Sequence, residues 1–206
     1  MQTNFLRNGT ITQADVDTSF LGDTVRVRLL RHAVRMYAAN KRQGTHDTKQ
    51  RADLHYKRNK LFKQKGTGRA RVKHASATQC RHGAVPHGPT PRDYSYSMPV
   101  RARREALKSA LLSKFRDGEV VVVDTFGLQS PKTKALALLL DAAGHRKSCL
   151  IVTHERDENL LKSVNNLPRV ATALVDDLNA YDLLLFRGLV ITEGALAKLK
   201  EKNGAA

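Results

Sequence analysis

Cysteine is scarce in this chain: Cys80 and Cys149 are the only two in 206 residues. That excludes a disulfide framework and fits a reducing compartment. Long apolar runs are missing as well. The longest, Val120–Val123 and Ala135–Leu140, fall far short of the ~20 residues a bilayer span needs, which excludes a membrane-spanning helix. The opening residues, Met1 to Arg7, show no basic stretch leading into an apolar one, so a secretory signal is not expected. Tryptophan is absent and aromatic residues make up 5% of the chain, yet 41% is hydrophobic. That suffices for one packed domain and argues against a wholly disordered basic chain. Acids are also few, 19 against 36 Lys and Arg, for a net charge of +17. A cytoplasmic chain with a polyanionic partner is the first inference.

The charge is unevenly placed. Residues 41–108 hold eighteen Lys and Arg against four acids, a net of +14, whereas the other 138 residues carry only +3. Between Lys41 and Pro99 no helical stripe or clean strand alternation is sustained. Gly66, Gly68, Gly83, Gly88, Pro86, Pro89, Pro91 and Pro99 punctuate the second half of that stretch. A structureless insertion this long is uncommon unless it is functional or becomes ordered on a partner. A solvated linker rarely gathers one sign of charge among glycines and flat side chains. The pattern favours an arm ordered against nucleic acid, with phosphates neutralising the charge.

Either side of it the sequence reads as a folded α/β domain. Weak strands are expected within Asn4–Phe20. A helix over Val25–Asn40 would turn Val27, Leu30, Val34 and Tyr37 or Ala38 to one face. A second helix over Val100–Phe115 places Leu107, Ala110, Leu111 and Phe115 inward, with Arg101, Arg104 and Lys108 together on its other side. Buried strands follow at Glu119–Asp124 and Ser148–Thr153, separated by a helix over Lys132–Ala143 that Ser130-Pro131 opens and Gly144 ends. A helix around Glu158–Val164, a strand near Val170, a helix over Tyr181–Phe186, a strand at Leu189–Ile191 and a last helix from Thr192-Glu193 to about Lys202 complete the half. Alternation of this kind predicts a parallel sheet covered by helices, with the basic irregular arm inserted between the first two helices. Cys149 is then a buried strand residue.

Enzyme motifs are lacking. Thr125–Ser130 after the first buried strand holds one glycine, and neither a phosphate-binding G-x-x-x-x-G-K-[ST] nor a G-x-S-x-G elbow occurs. An α/β enzyme with a basic substrate loop is therefore disfavoured, and no cofactor is expected. His74, Cys80, His82 and His87 follow no common zinc spacing, so no metal is expected either, and the imidazoles are expected to make polar or stacking contacts with RNA.

The densest motif is Lys63-Gln-Lys-Gly-Thr-Gly-Arg-Ala-Arg71. Gly66 and Gly68 permit a left-handed backbone close to a ligand, Lys65 supplies a point charge, and Arg69 and Arg71 supply planar forks. Upstream, Lys49-Gln-Arg51 and Tyr56-Lys-Arg-Asn-Lys60 interleave charge with flat or amide groups, suited to phosphate contacts and base stacking.

With Arg42-Gln-Gly-Thr45 and Gly88-Pro-x-Pro-Arg-Asp-Tyr-Ser-Tyr96, this motif resembles the loop of the bacterial large-subunit ribosomal protein four family. The resemblance continues through Ala106-Leu-Lys-Ser-Ala110, Val121-Val-Val-Asp124, Pro131-Lys-Thr-Lys134, Asp157-Glu-Asn-Leu160, Asn166-Leu-Pro168, Leu178-Asn-x-Tyr-Asp-Leu-Leu184 and Leu189-Val-Ile-Thr192. It covers almost the whole chain, in order.

What the resemblance implies is a structural constituent of the large ribosomal subunit rather than an enzyme. It would be a primary ribosomal RNA binder and assembly protein, with one globular domain (1–40 and 100–206) and an extended RNA-binding arm (41–99) that helps line the polypeptide exit tunnel. Expected partners are 23S-type ribosomal RNA, neighbouring large-subunit proteins, the nascent chain in passing and, as in some members, its own messenger RNA; a regulatory RNA-binding role off the ribosome is the rival reading. The residues expected to contact RNA are Arg42, Lys49, Arg51, Lys57, Arg58, Lys60, Phe62, Lys63, Lys65, Gly66, Thr67, Gly68, Arg69, Arg71, Lys73, Arg81, Arg92, Arg101, Arg104 and Lys108. Lys65, Gly66 and Thr67 would lie nearest the tunnel. Two departures stand out: Leu61-Phe62 occupies the place of a family Pro-Trp, and Cys80-Arg-His-Gly-Ala84 that of a Trp-bearing stretch. Phe62 retains a stacking face; Cys80 does not.

Overall fold

The computed structural model describes residues 1–7, 10–57 and 59–204. They fall into two compact units, Met1–Ala38 with Ser97–Ala206, and Ala39–Tyr96.

The first unit is built on one sheet of strands β1 (Gln2–Arg7), β2 (Thr10–Asp15), β3 (Val120–Val123), β4 (Cys149–Thr153), β5 (Val170–Leu174) and β6 (Gly188–Thr192). Their order is β2-β1-β3-β6-β4-β5. Its helices are α1 (Val27–Asn40), α2 (Val100–Arg116), α3 (Thr133–Ala142), α4 (Glu158–Val164), α5 (Ala180–Leu185) and α6 (Glu193–Gly204). No helix among the described residues is long and apolar enough to cross a membrane.

The sheet is mixed, which corrects the expectation of a parallel one. β3, β4, β5 and β6 pair in parallel, and β1 joins β3 in parallel, but β1 and β2 run antiparallel from Gln2↔Asp15 to Arg7↔Thr10. An antiparallel pair needs only a short connection, whereas a parallel pair needs a crossover of about a dozen residues or more. β2 is exposed along its whole length, so it carries no alternation to betray it in sequence.

Alternate strand residues point to opposite faces, and each face meets its own helices. Val120, Val122, Leu150, Val152, Leu189 and Ile191 join Ala33, Ala110, Leu183 and Leu199 of α1, α2, α5 and α6. Val121, Val123, Ile151 and Val190 join Leu136 and Leu140 of α3 and Leu160 and Val164 of α4. Cys149 lies in this second cluster, and burial pushes its thiol up to about 12.

Two helices differ in detail from expectation. α1 buries Leu30, Ala33 and Met36, while Val27 at its first position stays 68% exposed, so the inward stripe is rotated. α3 starts two residues after Pro131, and no side-chain oxygen caps it. Pro99 before α2 likewise offers no side-chain cap, whereas α4, α5 and α6 are capped conventionally: Asp157 Oδ1 accepts from the Asn159 and Leu160 amides, Asn179 Oδ1 from the Asp182 amide, and Thr192 Oγ1 from the Ala195 amide. A charge also sits inside this unit. Lys114 is 7% exposed, and its ammonium donates to Glu119 Oε2 (2.6 Å), Phe186 O (2.9 Å) and Arg187 O (2.8 Å). All three of its donors are satisfied, as burial of a charge requires.

Candidate nucleic-acid interface

The second unit has no helix or strand of its own among its described residues beyond the end of α1, yet its backbone is paired. Two stretches run antiparallel, tied by widely spaced bonds. The Tyr96 amide donates to Asn40 Oδ1 (3.0 Å), the Arg92 amide to Gly44 O (3.1 Å), Thr48 Oγ1 to Pro89 O (3.2 Å) and the Val85 amide to Lys49 O (3.2 Å). Beyond them the Leu61 amide donates to Lys73 O (3.0 Å). Pro86, Pro89 and Pro91 lack the N–H a continuous ladder needs, so isolated bonds replace a sheet. Gly44 has φ +71°, and a Cβ there would lie 2.1 Å from Arg92 O. Only glycine lets the two backbones approach at that point.

At one end of this ribbon, three charged or polar groups surround one ring. The Arg42 guanidinium lies 3.6 Å from the Tyr94 ring centroid and that of Arg92 4.2 Å, while the Tyr94 hydroxyl meets His46 Nε2 at 3.2 Å. Next to it the Asp93 carboxylate accepts from the Ser95 amide (2.8 Å) and hydroxyl (2.7 Å). Those bonds hold its carboxyl below the usual carboxylate range.

At the other end, Gly66 (φ +84°) and Gly68 (φ +61°) turn the chain in the left-handed region with open space around them. The Arg69 guanidinium sits 5.0 Å from the Phe62 ring centroid, and Lys60 donates to Gln64 Oε1. Lys63, Lys65, Thr67, Arg71 and Lys73 are exposed. Planar and point charges at a turn whose amides are uncovered by side chains form an arrangement that can receive phosphate oxygens.

A side loop, residues 74–84, is wound by successive turns from His74 O to Ala77, Ala77 O to Cys80 and Cys80 O to Gly83. Its His74 faces inward at 8% exposure, with Nδ1 2.7 Å from Ser76 Oγ, and Cys80 Sγ donates to His74 O. His74 is thus turned inward, whereas His82 and His87 of that group are exposed. Among the described residues no three His, Cys, Asp or Glu gather as a metal site.

The sequence model of the ribosomal protein L4/L1 family matches residues 14–202. The chain belongs to the ribosomal protein L4/L1 family. Its relatives include a large ribosomal subunit protein uL4 of Symbiobacterium thermophilum, 44% identical over 195 residues, which cover 95% of this chain and 94% of the relative. Proteins of the same name from Thermoanaerobacter sp. strain X514 and Moorella thermoacetica are 42% and 41% identical over 191 residues, 93% of this chain and 92% of each relative.

The L4/L1 family match spans every residue expected to contact RNA, but the structure groups them unequally. It brings Arg42 to Arg92 across Tyr94, and Phe62 to Arg69. Lys49, Arg51, Lys57 and Arg81 are exposed elsewhere on the ribbon, and Arg58 lies outside the described residues. Arg101, Arg104 and Lys108 belong to α2 of the other unit; the first two are exposed and Lys108 is half-buried. Sequence reasoning did not single out Tyr94, His46 or Ser76, which hold Arg42, Arg92 and His74 in place. Tyr94 stood in a quoted motif, but its two guanidinium partners are separated by fifty residues and meet only through ribbon pairing.

Proposed function

We propose that this chain is a structural, non-catalytic constituent of the large ribosomal subunit in the cytoplasm. In this reading residues 41–99 are an extended RNA-binding arm on a single α/β domain formed by residues 1–40 and 100–206. The observation that carries it is the paired ribbon itself, where fourteen Lys and Arg stand against three acids in residues 39–96, within a chain of this family. Ribosomal RNA supplies the opposite charge. Lysines and arginines along the ribbon hold phosphates, and the surface so covered offsets the entropy of ordering a segment with few apolar contacts. The α/β domain is the rigid platform and contacts neighbouring subunit proteins. The tip, with Lys65, Gly66 and Thr67, lies nearest the exit tunnel, where the nascent chain passes it. The same cationic surface is the part that receives the chain's own messenger RNA.

Co-sedimentation with large subunits, followed by protein–RNA crosslink mapping over Lys63–Arg71, tests this reading. The expected result is crosslinks from that segment to large-subunit RNA. Recovery of most of the protein in ribosome-free cytosol at native salt would overturn it. In purified form, Lys63→Gln with Lys65→Gln should lower the slope of log affinity against log salt by about 1.4 to 1.8, two phosphate contacts' worth.

A further inference from the structure

Resting on the RNA reading, we infer that the ribbon carries a stacking pocket for one unpaired nucleobase, a purine in preference, formed by Arg51, Leu54, Tyr56 and Ser76. A cavity of about 340 Å³ opens within the ribbon's own unit and is lined by these four residues and Ala52. That volume is at the small end of ligand sites, which run from about 300 to 1,000 Å³, and suits a single nucleoside. The lining has the composition a base requires. Tyr56, 42% exposed, offers a ring and Arg51 a planar cation, both able to stack on any base, while Leu54 adds an apolar wall.

The remaining wall gives direction. Ser76 is 6% exposed, and its hydroxyl is held by His74 Nδ1 at 2.7 Å. A hydroxyl has one proton and two lone pairs. Whether Ser76 donates to the imidazole or accepts from it, at least one lone pair is left to accept an N–H from the edge of a base. A ring N–H fits that lone pair as well as an amine does, so Ser76 anchors the base edge, and the preference for adenine over uracil comes from the larger face a purine stacks on Tyr56 and Arg51.

The walls are preformed. The Gln50 amide donates to Asp53 Oδ2 (2.8 Å), the Asp53 amide to Gln50 O (3.1 Å) and the Tyr56 amide to Leu54 O (3.0 Å), fixing the turn that presents one side. The Ala84 amide donates to Ser76 O (3.2 Å), fixing the other. A base entering this pocket meets walls that are already ordered, which lowers the entropic cost of binding it.

The probe is an adenosine hexamer with one central 2-aminopurine, bound to the full chain at low salt, with stacking read as fluorescence quenching. Wild type should quench, and Tyr56→Leu should abolish quenching and weaken binding about fivefold or more, with the salt slope unchanged. Arg51→Lys, which keeps the charge and loses the plane, should halve the quenching. Lys63→Gln with Lys65→Gln should weaken binding and leave quenching of the bound hexamer intact. Unlabelled oligoadenosine should compete better than oligouridine. Equal competition, or Tyr56→Leu quenching like wild type, overturns the pocket. Binding with a normal salt slope but no quenching overturns the pocket alone, whereas no binding of any oligomer overturns the RNA reading with it. Tyr56 is exposed, so its variant tests recognition rather than folding, and circular dichroism checks that.

Discussion

Replacing Tyr94 by leucine should open one end of the ribbon without unfolding the α/β domain. Two guanidiniums, from Arg42 at 3.6 Å and Arg92 at 4.2 Å, face this ring, and its hydroxyl is 3.2 Å from His46 Nε2. A cation over an aromatic face at an exposed site contributes about 0.5–1 kcal/mol, and a neutral hydrogen bond of this kind about the same. The two arginines share one ring and repel each other, so the contributions do not add fully. A net loss of about 1–2 kcal/mol follows, equivalent to a roughly 5- to 30-fold rise in the opening constant. The Arg92 amide, which donates to Gly44 O, and the Tyr96 amide, which donates to Asn40 Oδ1, report that opening directly. Native-state hydrogen exchange resolved to single amides is the assay. Exchange at Arg92 and Tyr96 should accelerate by that factor, while the Leu61 amide, bonded to Lys73 O, should be unchanged. Tyr94→Phe keeps the ring and loses only the hydroxyl's bond, so it should change exchange by about two- to fivefold. If Arg92 exchange in Tyr94→Leu stays within twofold of wild type, the ring does not hold the strands together. If Leu61 accelerates equally, the effect is global and the local argument fails.

Three further outcomes follow from the domain. Lys114→Met preserves much of the side-chain volume but strands Glu119 and two carbonyls. Glu119 is 26% exposed and keeps Arg187 at 3.6 Å, so the cost should be about 3 kcal/mol rather than more, seen as a melting point lower by ~6–12 °C; a loss under about 1 kcal/mol would mean the ammonium's contacts are dispensable. At pH 8 a thiol reagent should modify only half-buried Cys80 in the native protein, and Cys149 should react once denaturant unfolds the sheet, because burial holds its thiol near 12. Burial also lowers the His145 pKa, so its neutral form is favoured in the folded state, with Glu119 opposing and Arg187 and Lys114 reinforcing the shift. The associated stability is complete above the ordinary histidine value of about 6.5 and is lost as pH falls below it. Urea midpoints between pH 7.5 and 5 should therefore drop more in wild type than in His145→Gln, and identical slopes would rule out this residue as a source.

Much of the domain could be read from the chain because its signals are local. Val120–Val123 and Cys149–Thr153 are buried on both faces, and an uninterrupted apolar run announces that without reference to any partner. The helix Glu158–Val164 and its Asp157 cap lie within a few residues of each other, as do the turn glycines 66 and 68. The cationic excess is likewise a property of composition along a segment, and together with the order of motifs it was sufficient to suggest the family.

Through-space pairings were not legible. β2 is exposed at every position, so nothing in its pattern distinguished an antiparallel edge strand from irregular chain. His74 looks like its exposed neighbours in sequence, and only the winding of residues 74–84 turns it inward onto Ser76. Neither the Tyr94 sandwich nor the Arg51–Tyr56–Ser76 cavity has a sequence period, because each joins residues tens of positions apart. Sequence alone determined where charge, apolar faces and backbone breaks fall, since each depends on a residue and its near neighbours. Tertiary structure decided which of those features touch, because contact depends on register between distant strands, set here by sparse amide bonds around prolines and by Gly44, where the two backbones meet.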